Sequence, residues 1–320
     1  MGRDRDWLLK SAALAAAAVL CAALARIWSG YAGAPKYNTS LTLALLVVTA
    51  TGLVRFLAHV WKLWRMGCPN PIEQLRKGLP AAILGFAPIV LGVLIIGIFL
   101  VSLGYLKSML TALVPFWADE PLAAMDHAAG IDPEGIARAL QPWIFEIGIF
   151  YGCWHLMHLG SILWVLHWNL GEKSRFIVGF MLTWAIGMLL AFAFSSAGPI
   201  FTGRFDPALA PESVREMTAY LWANYESGGA VIGGGISAFP SLHVAIAAWF
   251  ALVLRERGLA WIGVPYVGAI FAGSVILGWH YTADGIAGIV IALLADRLSR
   301  AWLGTSPSGT ETPPIVAAAS

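Results

Sequence analysis

Two short segments of the chain carry side chains whose types and spacing could do chemistry. In the first, His280 and Asp284 are four residues apart, so on one helix they would share a face. A carboxylate in this position holds one imidazole nitrogen and leaves the other free and more basic. A nucleophilic or general-base histidine requires that arrangement. The pair therefore predicts a site rather than an isolated polar residue at a helix end.

The second segment places His243 in the first turn of a predicted helix. Pro240 and Ser241 stand where a helix start is expected. The free N–H groups of a first turn and the helix dipole together favour a bound anion, and we expect Ser241 to belong to that binding site. The segment thus predicts an anion bound beside an ionisable imidazole.

The remainder of the chain predicts a membrane protein. Of its 320 residues, 59% are hydrophobic and only 12% are charged, whereas soluble domains have about 25% charged residues. This composition excludes an ordinary soluble protein, a disordered chain and a disulfide-stapled secreted module. The formal net charge of +2 gives no support for nucleic acid as a partner. The three cysteines lack metal or disulfide spacing, and we expect them to be buried apolar thiols.

The apolar residues are grouped into segments long enough to form membrane-spanning helices. The predicted fold is an all-α polytopic membrane bundle of about eight helices. The N-terminal stretch is either a retained anchor or a cleaved signal peptide, and we favour the anchor. The predicted spans are Trp7–Ile27, Leu41–Trp61, Leu79–Leu106, Trp143–Trp168, Phe176–Ala197, Pro240–Leu254, Leu259–Leu277 and His280–Ala295.

The basic residues of the loops predict the orientation of these spans. With the N-terminus inside, 13 of the 20 lysines and arginines fall on inner loops or ends and six on outer ones. Both termini are then cytoplasmic, and His243, His280 and Asp284 lie on the outer side. From His243 to Arg255 is about 18 Å of helix at 1.5 Å per residue, less than the ~30 Å hydrocarbon core. A site just below the membrane surface suits a phosphate attached to a lipid.

The chain divides into three predicted regions. Residues 1–78 form two N-terminal transmembrane helices and a basic inner loop, residues 79–302 form the catalytic core, and residues 303–320 form a disordered cytoplasmic tail. Two long outer segments, Lys107–Pro142 and Gly198–Phe239, are expected to carry function. Within them we predict short helices at Asp119–Ala129, Asp132–Gln141 and Ser213–Tyr225, the last lying in the membrane interface. The glycine-rich run Gly228–Gly235 is predicted to be a hinge or lid.

The two segments, 37 residues apart, resemble the second and third motifs of the type-2 phosphatidic acid phosphatase superfamily. Those motifs are P-S-G-H and S-R-x5-H-x3-D. Here Phe239–His243 has Leu242 in place of glycine, and His280–Gly288 has the pattern His-Tyr-x-x-Asp-x-x-x-Gly. Both features are closer to the inositol phosphorylceramide synthase branch. The resemblance covers roughly residues 107–300 and implies a six-helix catalytic core.

The resemblance also implies roles for the three central residues. His280 would attack phosphorus and become a phosphohistidine, Asp284 would orient it, and His243 would protonate the leaving oxygen. The first motif of the phosphatases, K-x6-R-P, has no counterpart in Ser195–Arg204, which contains no lysine, and Ser274 stands at the arginine position of the third motif. We expect Arg204, and after it Lys107, to supply the missing phosphate-binding cation.

The leading hypothesis is an integral-membrane phosphotransferase or phosphatase that uses no metal or other cofactor. Its partners would be a phospholipid or lipid-phosphate donor, a lipid hydroxyl or water as acceptor, and the surrounding membrane lipids. Head-group transfer is favoured over simple lipid phosphate hydrolysis. Three other interpretations stay open: a metal centre formed by the same three residues, an inactive family member, and a non-enzymatic transporter or scaffold. For His155 and His158, three apart on a predicted span, packing is favoured over a metal pair.

Overall fold

Helices are the regular secondary structure of the described part of the chain. The computed structural model describes residues 4–31, 33–168, 170–227 and 234–304, which contain no strand. Short 3₁₀ turns occupy Gln141–Trp143, Pro199–Phe201 and Pro207–Leu209. The α-helices are α1 (Arg5–Ser29), α2 (Tyr37–Arg65), α3 (Pro71–Ser108), α4 (Leu110–Leu113), α5 (Asp119–Ala128), α6 (Pro133–Ala139), α7 (Ile144–Gly152), α8 (Trp154–Leu166), α9 (Leu170–Ala193), α10 (Glu212–Ser227), α11 (Leu242–Glu256), α12 (Ala260–Ile276) and α13 (Thr282–Leu303).

Helices occur at all eight predicted spans, and within the described residues five stretches are long and apolar enough to cross a membrane. These are α1, α2, the stretch from α3 through α4, the stretch from the first 3₁₀ turn through α8, and α9. The chain is therefore a polytopic helical bundle of the multi-pass membrane type. Helices α11 and α12 have 15 and 17 residues, fewer than the ~20 residues that a typical span needs. The crossing of the membrane by α11, α12 and α13 stays a prediction.

One predicted span has a local irregularity, and one expectation about the cysteines is wrong. The predicted span Trp143–Trp168 matches the apolar stretch from the first 3₁₀ turn through α8. This stretch is interrupted at Cys153, where the Leu156 N–H donates to the Cys153 carbonyl at 3.0 Å, a bond three residues back that tightens the helix. The thiols of Cys21 and Cys153 are exposed rather than buried. A thiol on the outer surface of an apolar helix can contact lipid, so it does not need burial within the protein.

The predicted short helices are confirmed as α5, α6 and α10. Residues 228–233 of the glycine-rich run and the tail from residue 305 lie outside the described residues, so the lid and the disordered tail stay predictions.

Helices α9, α11 and α13 form the centre of the bundle, and α1 packs against both α3 and α9. The closest approach is at Gly288 of α13. A Cβ at this position would lie 2.6 Å from the Ser241 carbonyl oxygen and 3.0 Å from the Ala245 nitrogen. Since no side chain fits there, the backbones of α11 and α13 are in direct contact.

A cluster of ion pairs holds one end of the bundle, which we call the ion-pair end. Arg175 of α9 donates to both carboxylate oxygens of Asp296 in α13, at 2.6 and 2.9 Å, and also to Glu256 of α11. Arg300 contacts Asp296 as well, and Arg257 pairs with Glu172 at 2.8 Å. The three central helices are therefore joined by charge at this end. Their other ends meet at what we call the site end, formed by α5, Ser195–Arg204, Phe239–Ser241 and Gly278–Tyr281.

Candidate active site

His280 and Asp284 are in contact at the site end. The His280 Nδ1 lies 3.3 Å from the Asp284 Oδ2, which also accepts the Tyr281 N–H at 2.9 Å. Both side chains are buried, with 6% of His280 and none of Asp284 exposed. With Nδ1 protonated, the imidazole donates to the carboxylate and its Nε2 keeps a free lone pair.

The expectation that this pair shares a helix face is wrong. Helix α13 begins only at Thr282, and Tyr281 is its N-cap residue. His280 thus precedes the helix, and Asp284 reaches back across the first turn to meet it. The reason is that the N–H groups at a helix start have no partner within the helix. The Asp284 carboxylate accepts the backbone N–H of Tyr281 and also contacts the His280 imidazole.

His243 is the second residue of α11 and faces His280. The two ring centroids are 6.2 Å apart. Ser241 is the N-cap, and its hydroxyl oxygen is 3.4 Å from the Val244 N–H. The Ser241 N–H in turn donates to the Asp284 carbonyl at 3.0 Å. This bond and the contact at Gly288 hold the first turns of α11 and α13 together, which sets the separation of the two histidines.

Aromatic rings from α7 and α8 surround His243. Tyr151 stacks on the imidazole with centroids 5.0 Å apart, and the Trp154 ring lies 4.2 Å away. The Trp154 indole N–H also donates to the His243 carbonyl at 2.9 Å. Because Tyr151 and Trp154 flank the break at Cys153, the tightened helix places both rings against one histidine. Within the described residues, the Tyr151 hydroxyl and the Asp284 Oδ1 are buried without a hydrogen-bond partner.

Two buried acids that the sequence analysis missed hold the surrounding loops. Asp119, the first residue of α5, accepts the Ala197 and Gly198 N–H groups at 2.8 Å each and the Tyr281 hydroxyl at 3.1 Å. Asp126, about two turns further along the same face of α5, accepts the Thr282 N–H at 3.1 Å. Helix α5 therefore ties the loop after α9 to the segment that carries His280.

That loop packs directly on the backbone beside His280. Gly198 has a φ of +104°, and a Cβ there would lie 2.5 Å from the Trp279 carbonyl oxygen. The Ile200 N–H donates to the Gly278 carbonyl at 2.9 Å. The segment Ser195–Arg204, where the first motif of the phosphatases is expected, thus lies next to His280 even though it lacks the lysine.

The two candidate cations differ in their surroundings. Arg204 forms an ion pair with Glu120, whose side chain is 83% exposed. Lys107 stands one residue before the end of α3. No carboxylate of the described residues pairs with Lys107. Both residues stay predictions as phosphate ligands, but Lys107 is the one whose charge is available to a bound anion.

His155 and His158 both lie near the site without forming a metal pair with an acid. Among the described residues, no three His, Cys, Asp or Glu side chains are grouped so as to hold a metal ion. The His158 ring stacks on Trp154 at 4.8 Å, and the His155 ring lies 5.9 Å from that of His243. Both side chains are part of the aromatic surroundings of His243.

The fold and the site together define a multi-pass membrane protein with two histidines and an aspartate at the ends of neighbouring helices. A family model described as the PAP2 superfamily matches residues 120–298, which is more than half of the chain, and the protein belongs to this superfamily. No curated protein and no solved structure matches it. Membership identifies a phosphatase-type enzyme that acts on phosphate esters, with lipid phosphates as the general substrate class. The matched region contains His243, His280 and Asp284 but not Lys107 or Asp119.

Proposed function

We propose that the protein transfers a phospho-head-group between lipids through a phosphohistidine on His280, as the inositol phosphorylceramide synthase-like branch would. The observation that carries this proposal is the contact of His280 with Asp284 at 3.3 Å, with the His243 ring 6.2 Å away. This arrangement supplies an oriented nucleophile on one side of a phosphoryl group and a proton donor near the other.

In the first step, the lone pair of His280 Nε2 forms a bond to phosphorus while the bond from phosphorus to the leaving oxygen breaks. Protonated His243 gives its proton to that oxygen. Asp284 stabilises the positive charge that develops on the His280 ring. The first-turn N–H groups after Ser241 and the ammonium group of Lys107 would bind the non-bridging oxygens, with Arg204 as the other candidate.

In the second step, an acceptor hydroxyl attacks phosphorus, the bond to His280 breaks and His243 takes up the proton of the hydroxyl. A lipid hydroxyl as acceptor gives head-group transfer, and water gives simple lipid phosphate hydrolysis, our second candidate. The burial of His280 and Asp284 favours transfer, because a site that admits little water protects the phosphohistidine from hydrolysis. Following the predicted topology, the reaction takes place at the outer face of the membrane, within the region 79–302.

The covalent step is tested with a phospholipid carrying a labelled phosphate. We expect vanadate to inhibit, EDTA to have little effect, and label to remain on the protein through a bond that is stable in alkali and labile in acid. His280→Gln should retain no label, whereas His167→Gln, an exposed histidine at the ion-pair end, should label normally. Full inhibition by EDTA with none by vanadate would favour a metal centre formed by His243, His280 and Asp284.

The choice of acceptor is tested by comparing the lipids of cells that contain the intact protein or its His280→Gln variant. A head-group lipid that is present only with the intact protein indicates transfer. A phospholipid that accumulates only with the variant indicates hydrolysis. Lipid pools that are the same in both would favour a non-enzymatic protein instead.

The two candidate cations are separated by paired substitutions. We expect Lys107→Met to raise the KM for a lipid phosphate about tenfold, the effect of losing about 1.4 kcal/mol of binding. Arg204→Met should change it less, because Arg204 is already paired with exposed Glu120. Lys77→Met, which removes an exposed lysine elsewhere on α3, is the matched control. The reverse order would assign the phosphate to Arg204.

A further inference from the structure

An apolar groove opens between helices α2, α3 and α8, away from the histidines. It encloses about 330 Å³, within the usual size range of small-molecule sites. Its walls are apolar side chains, among them Leu43 and Val47 of α2, Ile96 and Leu100 of α3, and Leu159 and Ile162 of α8. Helix α2 contacts the rest of the bundle mainly through α3, and the groove lies beside this contact.

One end of the groove lies beside a tight helix contact, and the other end shares a residue with a polar cavity. At the first end, next to Val93, a Cβ on Gly92 would lie 2.9 Å from Leu166 of α8 and 2.9 Å from Trp7 of α1, so α3 packs closely on these two helices. At the site end, Ser108 lines both the groove and a second cavity of about 370 Å³, which is bordered by Thr111, Asn224 and Glu226. From Val93 to Ser108 the groove follows α3 for about 22 Å at 1.5 Å per residue.

Charge at the site end favours an anionic occupant. Lys36 lines the groove, and Lys107 directly precedes Ser108, the residue that the two cavities share. An apolar cleft of this length with a lysine in its lining matches one hydrocarbon chain of an amphiphile with a negatively charged head. Glu226 borders the second cavity but does not line the groove, and its carboxylate accepts the Trp222 indole N–H at 2.9 Å.

We propose that this groove binds an acyl chain of the lipid phosphate substrate, with the head group directed past Ser108 towards Lys107. The proposal rests on the proposed function and adds a chain-length specificity to it. Most of the groove is built by α2 and α3, which lie outside the region matched to the PAP2 superfamily. Helices α2 and α3 would then select substrates by the length of their acyl chains.

The test blocks the groove at Gly104 and compares lipids of different chain length. A Cβ at Gly104 would meet no atom within 4 Å, so Gly104→Leu fits the helix and projects its side chain into the groove. The matched control is Gly85→Leu on the same helix, where a Cβ also meets nothing within 4 Å and which does not line the groove. The substrates are dioleoyl and dioctanoyl phosphatidic acid in the same detergent.

The measured quantity is kcat/KM for the long-chain lipid divided by kcat/KM for the short-chain lipid. For Gly104→Leu we expect this ratio to fall about tenfold, because about two methylene groups of the long chain lose their apolar contacts. For Gly85→Leu the ratio should stay at the wild-type value. An unchanged ratio in Gly104→Leu would overturn the groove as a substrate site and leave the proposed function intact.

A second measurement does not depend on turnover. Phosphatidic acid with a diazirine near the end of its acyl chain is incubated with the full-length protein in vesicles and photolysed. We expect labelled peptides from α2, α3 and α8, with less label in Gly104→Leu and the same amount in Gly85→Leu. Label spread equally over all lipid-facing helices would overturn the proposal. If the wild-type protein turns over neither lipid, simple lipid phosphate hydrolysis fails as a function, and the labelling pattern alone decides the groove.

Discussion

The carboxylates that join separate segments at the two ends of the bundle differ in their main hydrogen-bond donors. Exposed Glu120, which pairs with Arg204, is the exception at the site end. At the ion-pair end, Asp296 and Glu256 accept from the guanidinium of Arg175. At the site end, Asp119 and Asp126 accept from backbone N–H groups of loops and of the first turn of α13. Arginine pairs join helices by their side chains, whereas backbone donors fix the path of the main chain itself.

This difference matters for a site that has to bind phosphate. A carboxylate paired with an arginine or lysine competes with a phosphate for that cation. Because Asp119, Asp126 and Asp284 are occupied by neutral donors and by His280, they position the loops without pairing with Lys107. The comparison predicts that substitutions at the site end change catalysis more than stability, and that substitutions at the ion-pair end do the opposite.

The largest effect is expected for His280→Gln. If His280 is the nucleophile that we propose, its loss should lower kcat by ~10³-fold or more, as for other covalent catalysts, while the melting temperature in detergent changes little. Phosphate release from a lipid phosphate and tryptophan fluorescence during heating measure the two quantities. If His280→Gln keeps its activity, the site end is not the place of catalysis, and the contrast between the two ends fails.

At the other end, Arg175→Met should cost about 3–5 kcal/mol of unfolding free energy, because it leaves buried Asp296 and half-buried Glu256 without their main partner. The kcat of the protein that stays folded should remain near the wild-type value. Denaturant-induced loss of helical circular dichroism, followed with activity on the same samples, provides the check. A large drop in kcat without loss of stability would show that the two ends are not separate in function.

A smaller effect is expected for Asp119→Asn. The amide has one acceptor oxygen where the carboxylate has two, so a backbone N–H of Ala197 or Gly198 loses its partner, at about 1–3 kcal/mol. Since Tyr281 directly follows His280, kcat should fall as well. Tyr281→Phe is the companion variant, because it removes only the hydroxyl donor to Asp119. If kcat falls in neither variant, the loops do not position His280.

The smallest effect is expected for Arg257→Gln. Its pair with Glu172 is partly exposed, with 35% and 44% of the two side chains accessible, and exposed pairs contribute about 0.2–1 kcal/mol. The melting temperature should therefore change much less than in Arg175→Met, and activity should not change. If the melting temperature falls as much as in Arg175→Met, solvent exposure does not determine how much each ion pair of this end contributes to stability.

The sequence predicted the helices well because long apolar runs are local features. It also placed His243 and His280 at neighbouring helix starts, since each segment carries its own start signal. The position of His280 before α13 was missed because spacing alone does not tell where the first turn begins. Asp119 was missed for a different reason. Its partners stand 78, 79 and 162 residues away, and only the folded chain brings them to one carboxylate.

The contact at Gly288 has a consequence for activity in membranes of different thickness. A change in bilayer thickness acts on a helical protein mainly by altering helix tilt. Because the backbones of α11 and α13 touch at Gly288, and the Ser241 N–H is bonded to the Asp284 carbonyl, the first turns of these helices tilt together. The spacing of the two imidazoles then stays constant, so we expect the chemical step to proceed at the same rate in thin and in thick bilayers.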